Sequence, residues 1–324
     1  MVNGVHTLSV VSAEAGTVEG YRHEAFFYER SDEFMHGTLD FIRTAVASDD
    51  PILVVLAAEK IGALRHELNG DAARVHFADM AEVGSNPARI IPAWQQFVEE
   101  QQAPGRRLWG IGEPIWAGRG PAELDECERH EALLNVAFES PEFWLLCPYD
   151  TAALPRPVID EARRNHRFVR EHGVSQPSGV FPGADALAAP FERALSDPPS
   201  HLAGLEFDAV TLAGVRSFVM VLATAFGLSN DRVDDFVLAA NEVATNSLVH
   251  GGGSGRVRLW REGESVICEV RDRGNITDQL AGRERPGLLN EGHRGLWLAN
   301  QLCELVQIRA TPDGTVVRLH TRLR

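Results

Sequence analysis

The sequence predicts two α/β domains built on different plans: an N-terminal domain with an open, mainly parallel sheet and helices on both faces, and a C-terminal two-layer α/β sandwich. Three observations predict this. Between residues 23 and 169, apolar runs bounded by turn signals alternate five times with helical periodicity, the pattern of a parallel sheet. Residues 173–205, rich in Pro, Gly, Ser and Ala, then break that periodicity and read as a linker. Beyond them the order changes to two helices, two strands, a helix and two strands. The expected division is therefore 1–172, a linker over 173–205, and 206–324.

Each N-terminal element has its own signal. After about twenty residues that look loosely ordered, 23–28 reads as a strand and 32–47 as a helix capped by Ser31. Strands at 52–56, 74–77, 107–111 and 143–147 are followed by helices at 59–68, 88–100, 122–138 and 158–169. In such sheets ligands sit beyond the carboxyl ends of the strands. Glu113, Trp116, His130 and Tyr149 fall near those ends and are the candidate sensory site. His130 with Glu113 and Asp150 reads as a polar constellation or as a structural hydrogen-bond network, and no nucleophile stands beside a base.

The C-terminal half begins with a helix over 208–226 that carries Arg216 and Phe218. In the next helix Val233, Phe236, Val237, Ala240, Val243, Ala244 and Leu248 form one apolar stripe, leaving Glu242 and Asn246 stacked on another face. A carboxylate and an amide oxygen four residues apart are hard donors suited to hydrated Mg²⁺. Strands at 256–260 and 265–271 follow, the second running into Asp272-Arg273-Gly274. Gly292-His293-Arg294-Gly295-Leu296 then opens an apolar helix over 296–305, where glycines let backbone N–H groups approach phosphate. Strands at 305–310 and 315–320 close the chain around the turn Pro312-Asp313-Gly314.

This order of motifs resembles the GHKL ATP-binding fold, with an N box at Glu242 and Asn246, a G1 box at Asp272 to Gly274, and a G2 box at Gly292 to Leu296. It looks most like the anti-sigma-factor serine kinases, whose signature stands here as Leu238, Glu242, Asn246 and His250. The resemblance spans roughly 207–323. It implies that Glu242 is the catalytic base or orienting group, that Asn246 ligates Mg²⁺, and that Asp272 and Thr315 read adenine. It further implies that Gly274, Gly292, Arg294, Gly295 and Leu296 shape the ATP pocket. In the N-terminal half, FADMAEVGSNPARIIPAW, GEPIW, RHEALLN and CPYD resemble the MEDS sensory domain over about 22–172. That family implies small-molecule sensing on a RecA-like sheet, and the lack of GxxxxGK[ST] agrees with sensing without a P-loop.

Composition bounds the partners. Residues 200–324 hold 15 acidic and 14 basic side chains, so −14 of the total charge of −15 lies in the first 199 residues. An acidic front half argues against nucleic acid. No apolar run approaches 18 residues and the N-terminus lacks signal-peptide features, so the expectation is a cytoplasmic protein without a membrane segment. The four cysteines show no CxxC or Cys/His zinc spacing, and buried thiols are expected. By resemblance the chain is a sensor-controlled serine/threonine kinase whose partners are a sigma factor or a STAS-type antagonist. Its first C-terminal helix would serve sigma contacts or a homodimer. A non-catalytic ATP-binding switch and a sensor histidine kinase are the alternatives. The short linker leaves no room for the latter's dimerisation helices, and His166 is the only nearby phospho-acceptor candidate.

Overall fold

The apolar runs of the first half become the strands of one seven-stranded sheet, seen in a computed structural model that describes residues 20–138, 141–183, 193–200, 202–287 and 294–323. The first nineteen residues, read above as loosely ordered, lie outside that set. In chain order the elements are β1 (Arg22–Tyr28), α1 (Ser31–Ala47), β2 (Ile52–Leu56), α2 (Ala58–Leu68), β3 (His76–Asp79), α3 (Met80–Val83) and α4 (Ile90–Gln101). Then come β4 (Leu108–Gly112), α5 (Pro121–Ala137), β5 (Phe143–Asp150), α6 (Arg156–Asn165), β6 (Phe168–Glu171) and β7 (Val174–Pro177). The sheet order is β3-β2-β4-β5-β1-β6-β7, parallel throughout except for the β6–β7 hairpin. Both faces are covered: Trp94, Leu133, Phe143 and Ile159 pack on one side, Phe41, Ile42, Ile52 and Trp109 on the other.

Several local expectations are corrected. The helix expected over 158–169 stops at Asn165, and β6 follows. The start of the expected linker is β7, because His172 and Gly173 both take positive φ (49° and 78°), the pair of values a tight two-residue hairpin turn demands. Ser31 is the first helical residue and gives no capping bond; Glu33 instead accepts the backbone N–H of Glu29 at 2.9 Å. The short helix α3, capped by Asp79, was not expected.

The second half forms β8 (Gly204–Asp208), α7 (Leu212–Ala225), α8 (Asn230–His250), β9 (Ser254–Glu262), β10 (Ser265–Asp272), α9 (Arg294–Leu302), β11 (Leu305–Thr311) and β12 (Gly314–Arg322). Its sheet is antiparallel in the order β11-β12-β10-β9-β8. The helix expected from 208 begins at Leu212, since Asp208 Oδ1 accepts the N–H groups of Val210 and Thr211 and holds a turn there. Alternation along the strands sends Val266, Cys268, Val270, Ile308, Val317 and Leu319 into the core with the apolar stripe of α8. No helix among the described residues is long and apolar enough to cross a membrane.

The opposite face of this sheet is charged yet buried, because it docks on α5. Glu126 accepts hydrogen bonds from Arg309 Nη1 and Arg283 Nη2, both at 2.6 Å, and Arg129 donates to the Ile308 carbonyl. Arg322 reaches Glu123 at 2.8 Å. The charge asymmetry of the two halves therefore has a structural use: an acidic helix of the first half meets an arginine-bearing sheet of the second. Nearby, Arg89 donates to the carbonyls of Asn300 (2.8 Å) and Gln301 (2.7 Å), and Asn86 donates to that of Asn300 (3.1 Å), closing the C-terminal end of α9.

Candidate functional site

The pocket lies between α8, the end of β10, β12 and α9. It is a cavity of about 280 Å³ that brings together Asn246, Asp272, Gly274, Leu296 and Thr315. These residues come from stretches up to 69 positions apart, and the backbone joins them by close approaches only glycine allows. A Cβ on Gly251 would stand 2.4 Å from the Asp272 carboxyl carbon, and one on Gly274 would stand 2.6 Å from the His250 carbonyl oxygen. Gly314, at φ 130°, would place a Cβ 1.9 Å from the Asp272 carbonyl oxygen. The end of α8 and the end of β10 thus lie flush, and Arg273 N–H donates to the Gly251 carbonyl at 3.1 Å.

Asp272 is held rigidly by this arrangement. Its Oδ2 accepts from Ser247 Oγ at 2.6 Å, one turn of α8 away, and its Oδ1 accepts the Gly274 N–H at 2.8 Å. Thr315 Oγ1 donates to the Gly274 carbonyl at 2.9 Å. The carboxylate is an oriented acceptor on the pocket wall, with Ile276, Leu296 and Val317 supplying apolar surface. A flat heterocycle bearing an amino group suits that combination.

Glu242, Arg294 and Gly295 do not line the cavity; beside it, the start of α9 packs on the polar face of α8. A Cβ on Gly295 would stand 2.9 Å from Asn246 Nδ2, 3.2 Å from its Oδ1 and 3.3 Å from Glu242 Oε2. Glu242 and Asn246 are half-buried and lie against the first turn of α9, and the first N–H groups of a helix are a general anion-binding feature. Of the residues read from the sequence, Arg294 is exposed at the first position of α9, while Gly292 lies outside the described residues. Sequence reading missed Ser247, Gly251 and Gly282. Gly282, at φ 75°, packs against Leu296 and accepts Asn300 Nδ2 at 2.9 Å through its carbonyl. The three consecutive glycines at 251–253 after a helix end were the available signal.

The N-terminal candidates separate into different surroundings. Glu113 is buried and hydrogen-bonded to Lys60 (2.6 and 2.7 Å) and to Tyr28 (2.9 Å); burial nevertheless raises its pKa above the ordinary value. Trp116 is partly exposed, with the Arg119 guanidinium 3.8 Å over its ring. Asp150 Oδ1 accepts the N–H groups of Ala152 and Ala153. His130 is buried, and burial pushes its pKa down to about 3. Among the described residues no hydrogen bond joins His130 to Glu113 or Asp150, so that constellation does not form. Tyr149 meets the His166 ring edge-on at 5.6 Å. His166 itself is fully buried, which removes it as a phospho-acceptor in the folded chain. All four cysteines are buried and free.

Comparison with known proteins gives two family matches. Residues 22–167 match the MEDS family, the methanogen/methylotroph, DcmR sensory domain, and residues 205–321 match the histidine kinase-like ATPase domain. No curated protein matches the chain. Among solved structures, one ATPase domain is similar at 12% identity, covering 46% of this chain and 68% of that one, with a TM-score of 0.29, too slight to carry an argument. The chain carries a MEDS sensory domain followed by a histidine kinase-like ATPase domain.

Proposed function

We propose that this protein is a regulatory protein kinase of the anti-sigma class, in which a RecA-like MEDS domain without a P-loop senses a small molecule and controls a GHKL-type ATP-binding domain. The domain would bind a sigma factor and phosphorylate Ser or Thr on a STAS-type antagonist. The observation that carries this reading is the contact of Gly295 with Glu242 and Asn246, which puts a carboxylate, an amide and a helix N-terminus around one point.

The residues fit ATP and Mg²⁺. Asp272 offers a fixed acceptor for the adenine amino group, Thr315 steadies the Gly274 backbone beneath it, and Asn246 is placed to hold the metal. Gly295 keeps the α9 backbone close to Asn246 and Glu242, since any Cβ there would press on the Asn246 amide. Bound MgATP supplies an electrophilic phosphoryl group whose charge the metal partly neutralises. Phosphoryl transfer asks the protein mainly for positioning and electrostatic stabilisation. Glu242 would orient the attacking hydroxyl and take its proton, and the α9 N-terminus would hold negative charge in place. Met220 and Val221 are exposed on α7, with Arg216 on the same helix, and this supports a protein-binding or homodimer surface there.

The test is incubation with γ-labelled ATP and Mg²⁺, alone and with a STAS-type antagonist, followed by acid treatment. Acid-stable label on the antagonist is the expected result. Acid-labile label on the protein itself would indicate a histidine kinase, and nucleotide-dependent partner binding without transfer would indicate the non-catalytic switch.

A further inference from the structure

Away from the pocket, the N-terminal sheet encloses four side chains of metal-ligand type. His23 comes from β1, Cys147 from β5, Glu131 from α5, and His166 from the residue that ends α6. β1 and β5 are adjacent parallel strands with Ala25 opposite Cys147, which sets His23 and Cys147 on the one face that packs against α5 and α6. One donor atom from each of the four residues lies within 4.8 Å of all the others. Glu131 Oε2 is 3.0 Å from His23 Nε2 and 3.2 Å from His166 Nε2, and Cys147 Sγ is 3.4 Å from His23 Nε2. None of the four is more than 1% exposed. Donors about 2.1 Å from a tetrahedral centre stand about 3.4 Å apart, which these three separations approach.

The hydrogen-bond pattern points the same way. His166 Nδ1 is 2.7 Å from the Ala162 carbonyl, which can only accept, so Nδ1 donates there and Nε2 is the ring atom turned toward Glu131. A backbone carbonyl fixing the far nitrogen is how metal-bound imidazoles are commonly oriented. His166 Nε2 and Glu131 Oε1 are both buried without a hydrogen-bond partner among the described residues. The ion-pair partners of Glu131 among the described residues are the two imidazoles, with no Lys or Arg.

We infer that His23, Glu131, Cys147 and His166 form a tetrahedral site for a first-row divalent transition metal, zinc being the ion such a mixed imidazole, thiolate and carboxylate set takes by default. The ion would pin β1, β5 and the end of α6 to α5. That helix carries Glu126, which docks the ATPase domain, five residues before Glu131, so metal occupancy would set the position of the docking helix.

The experiment uses the full chain. Purified protein is assayed for bound metals by mass spectrometry, then stripped with a chelator and titrated with Co²⁺ while absorption and circular dichroism are followed. About one equivalent of a first-row metal per chain is expected, as are tetrahedral cobalt bands with a thiolate-to-cobalt charge-transfer band. Cys147→Ser should lose the charge-transfer band but keep weaker cobalt binding, and His166→Gln should weaken binding by about a hundredfold or more, a direct ligand costing at least what an outer-shell partner does. Loss of structure on chelation that zinc restores would support the site equally. A folded wild-type chain that arrives without metal and takes up no Co²⁺ overturns the proposal, as does a charge-transfer band that survives Cys147→Ser, because the thiolate would then be one of the other three cysteines.

Discussion

Arg283 donates to Glu126 at 2.6 Å across the contact between the two halves of the chain, with both side chains buried. Arg283 directly follows Gly282, which lines the pocket, so one wall of that pocket is tied to helix α5 of the N-terminal domain. Burial alone would raise the pKa of Glu126, but Arg129, Arg309 and Arg283 outweigh it and hold the carboxyl below its ordinary value. Glu126→Gln removes the charge that compensates all three. Breaking a buried pair from one side costs about 3–5 kcal/mol, so the urea midpoint of the full chain should fall clearly, or the docked and ATPase units should unfold separately. A wild-type unfolding curve would mean that the cluster does not hold the domains together. Because the folded pKa is depressed, the contribution of Glu126 is complete above its unfolded value of about 4.3 and is lost as pH falls through the folded one.

Asp272 is the most constrained group of the pocket, and its substitution makes the second prediction. Asp272→Asn preserves shape while changing the carboxylate to an amide, which misplaces a donor toward Gly274 N–H or the ligand. Loss of a charge-assisted hydrogen bond in a buried site costs roughly 1.5–3 kcal/mol, so ATP affinity measured by calorimetry should drop about tenfold to a hundredfold. Unchanged affinity in a folded Asp272→Ala protein would remove Asp272 from nucleotide recognition.

Sequence legibility followed the range of the signal. The i, i+4 pair Glu242 and Asn246 and the strand-end Asp272 are local patterns, and each stood out because its meaning lies within a few residues. The hairpin β6–β7 was hidden because its turn is His172-Gly173, and histidine at positive φ has little turn preference to announce it. Edge strand β8 was hidden inside Pro- and Gly-rich surroundings. The cluster of His23, Glu131, Cys147 and His166 was invisible to any spacing rule: parallel crossovers bring together residues more than 100 positions apart, and metal motifs are searched over tens. The arginines of the docking face carry no local signal of burial, because it is the approach of α5 that covers them.

His320 gives a pH prediction for the ATPase domain. It lies on β12 with Nε2 3.0 Å from Gln307 Oε1, and burial, aided by the Arg318 guanidinium, pushes its pKa down to about 4. The unfolded chain, with an imidazole pKa of about 6.5, binds the extra proton first as pH falls. Stability from this group is therefore complete above about pH 6.5 and declines down to about pH 4, where the loss levels off at about 3 kcal/mol. Thermal or urea unfolding between these limits should show that slope, and His320→Gln should flatten it. If wild type and His320→Gln share the same pH dependence, the imidazole is not the titrating group.

Glu242 and Gly295 together separate chemistry from positioning. Glu242→Gln keeps the volume and hydrogen-bonding reach of the side chain but removes its basicity, so ATP binding should persist while phosphoryl transfer falls by about 10²–10⁴-fold. Asn246→Ala should weaken binding and transfer together if Asn246 holds the metal as proposed. Gly295→Ala acts on the same point by volume: the new Cβ would meet Asn246 Nδ2 at 2.9 Å, which forces the amide or α9 to shift. Gly295 takes no positive φ, so alanine there should leave the helix intact or slightly steadier, by about 0.4–1 kcal/mol. The expected signature is a protein as stable as wild type with impaired MgATP binding, read by parallel calorimetry and unfolding. Wild-type ATP affinity in Gly295→Ala, or wild-type transfer in Glu242→Gln, would show that the point where α8 and α9 meet is packing rather than the phosphoryl site.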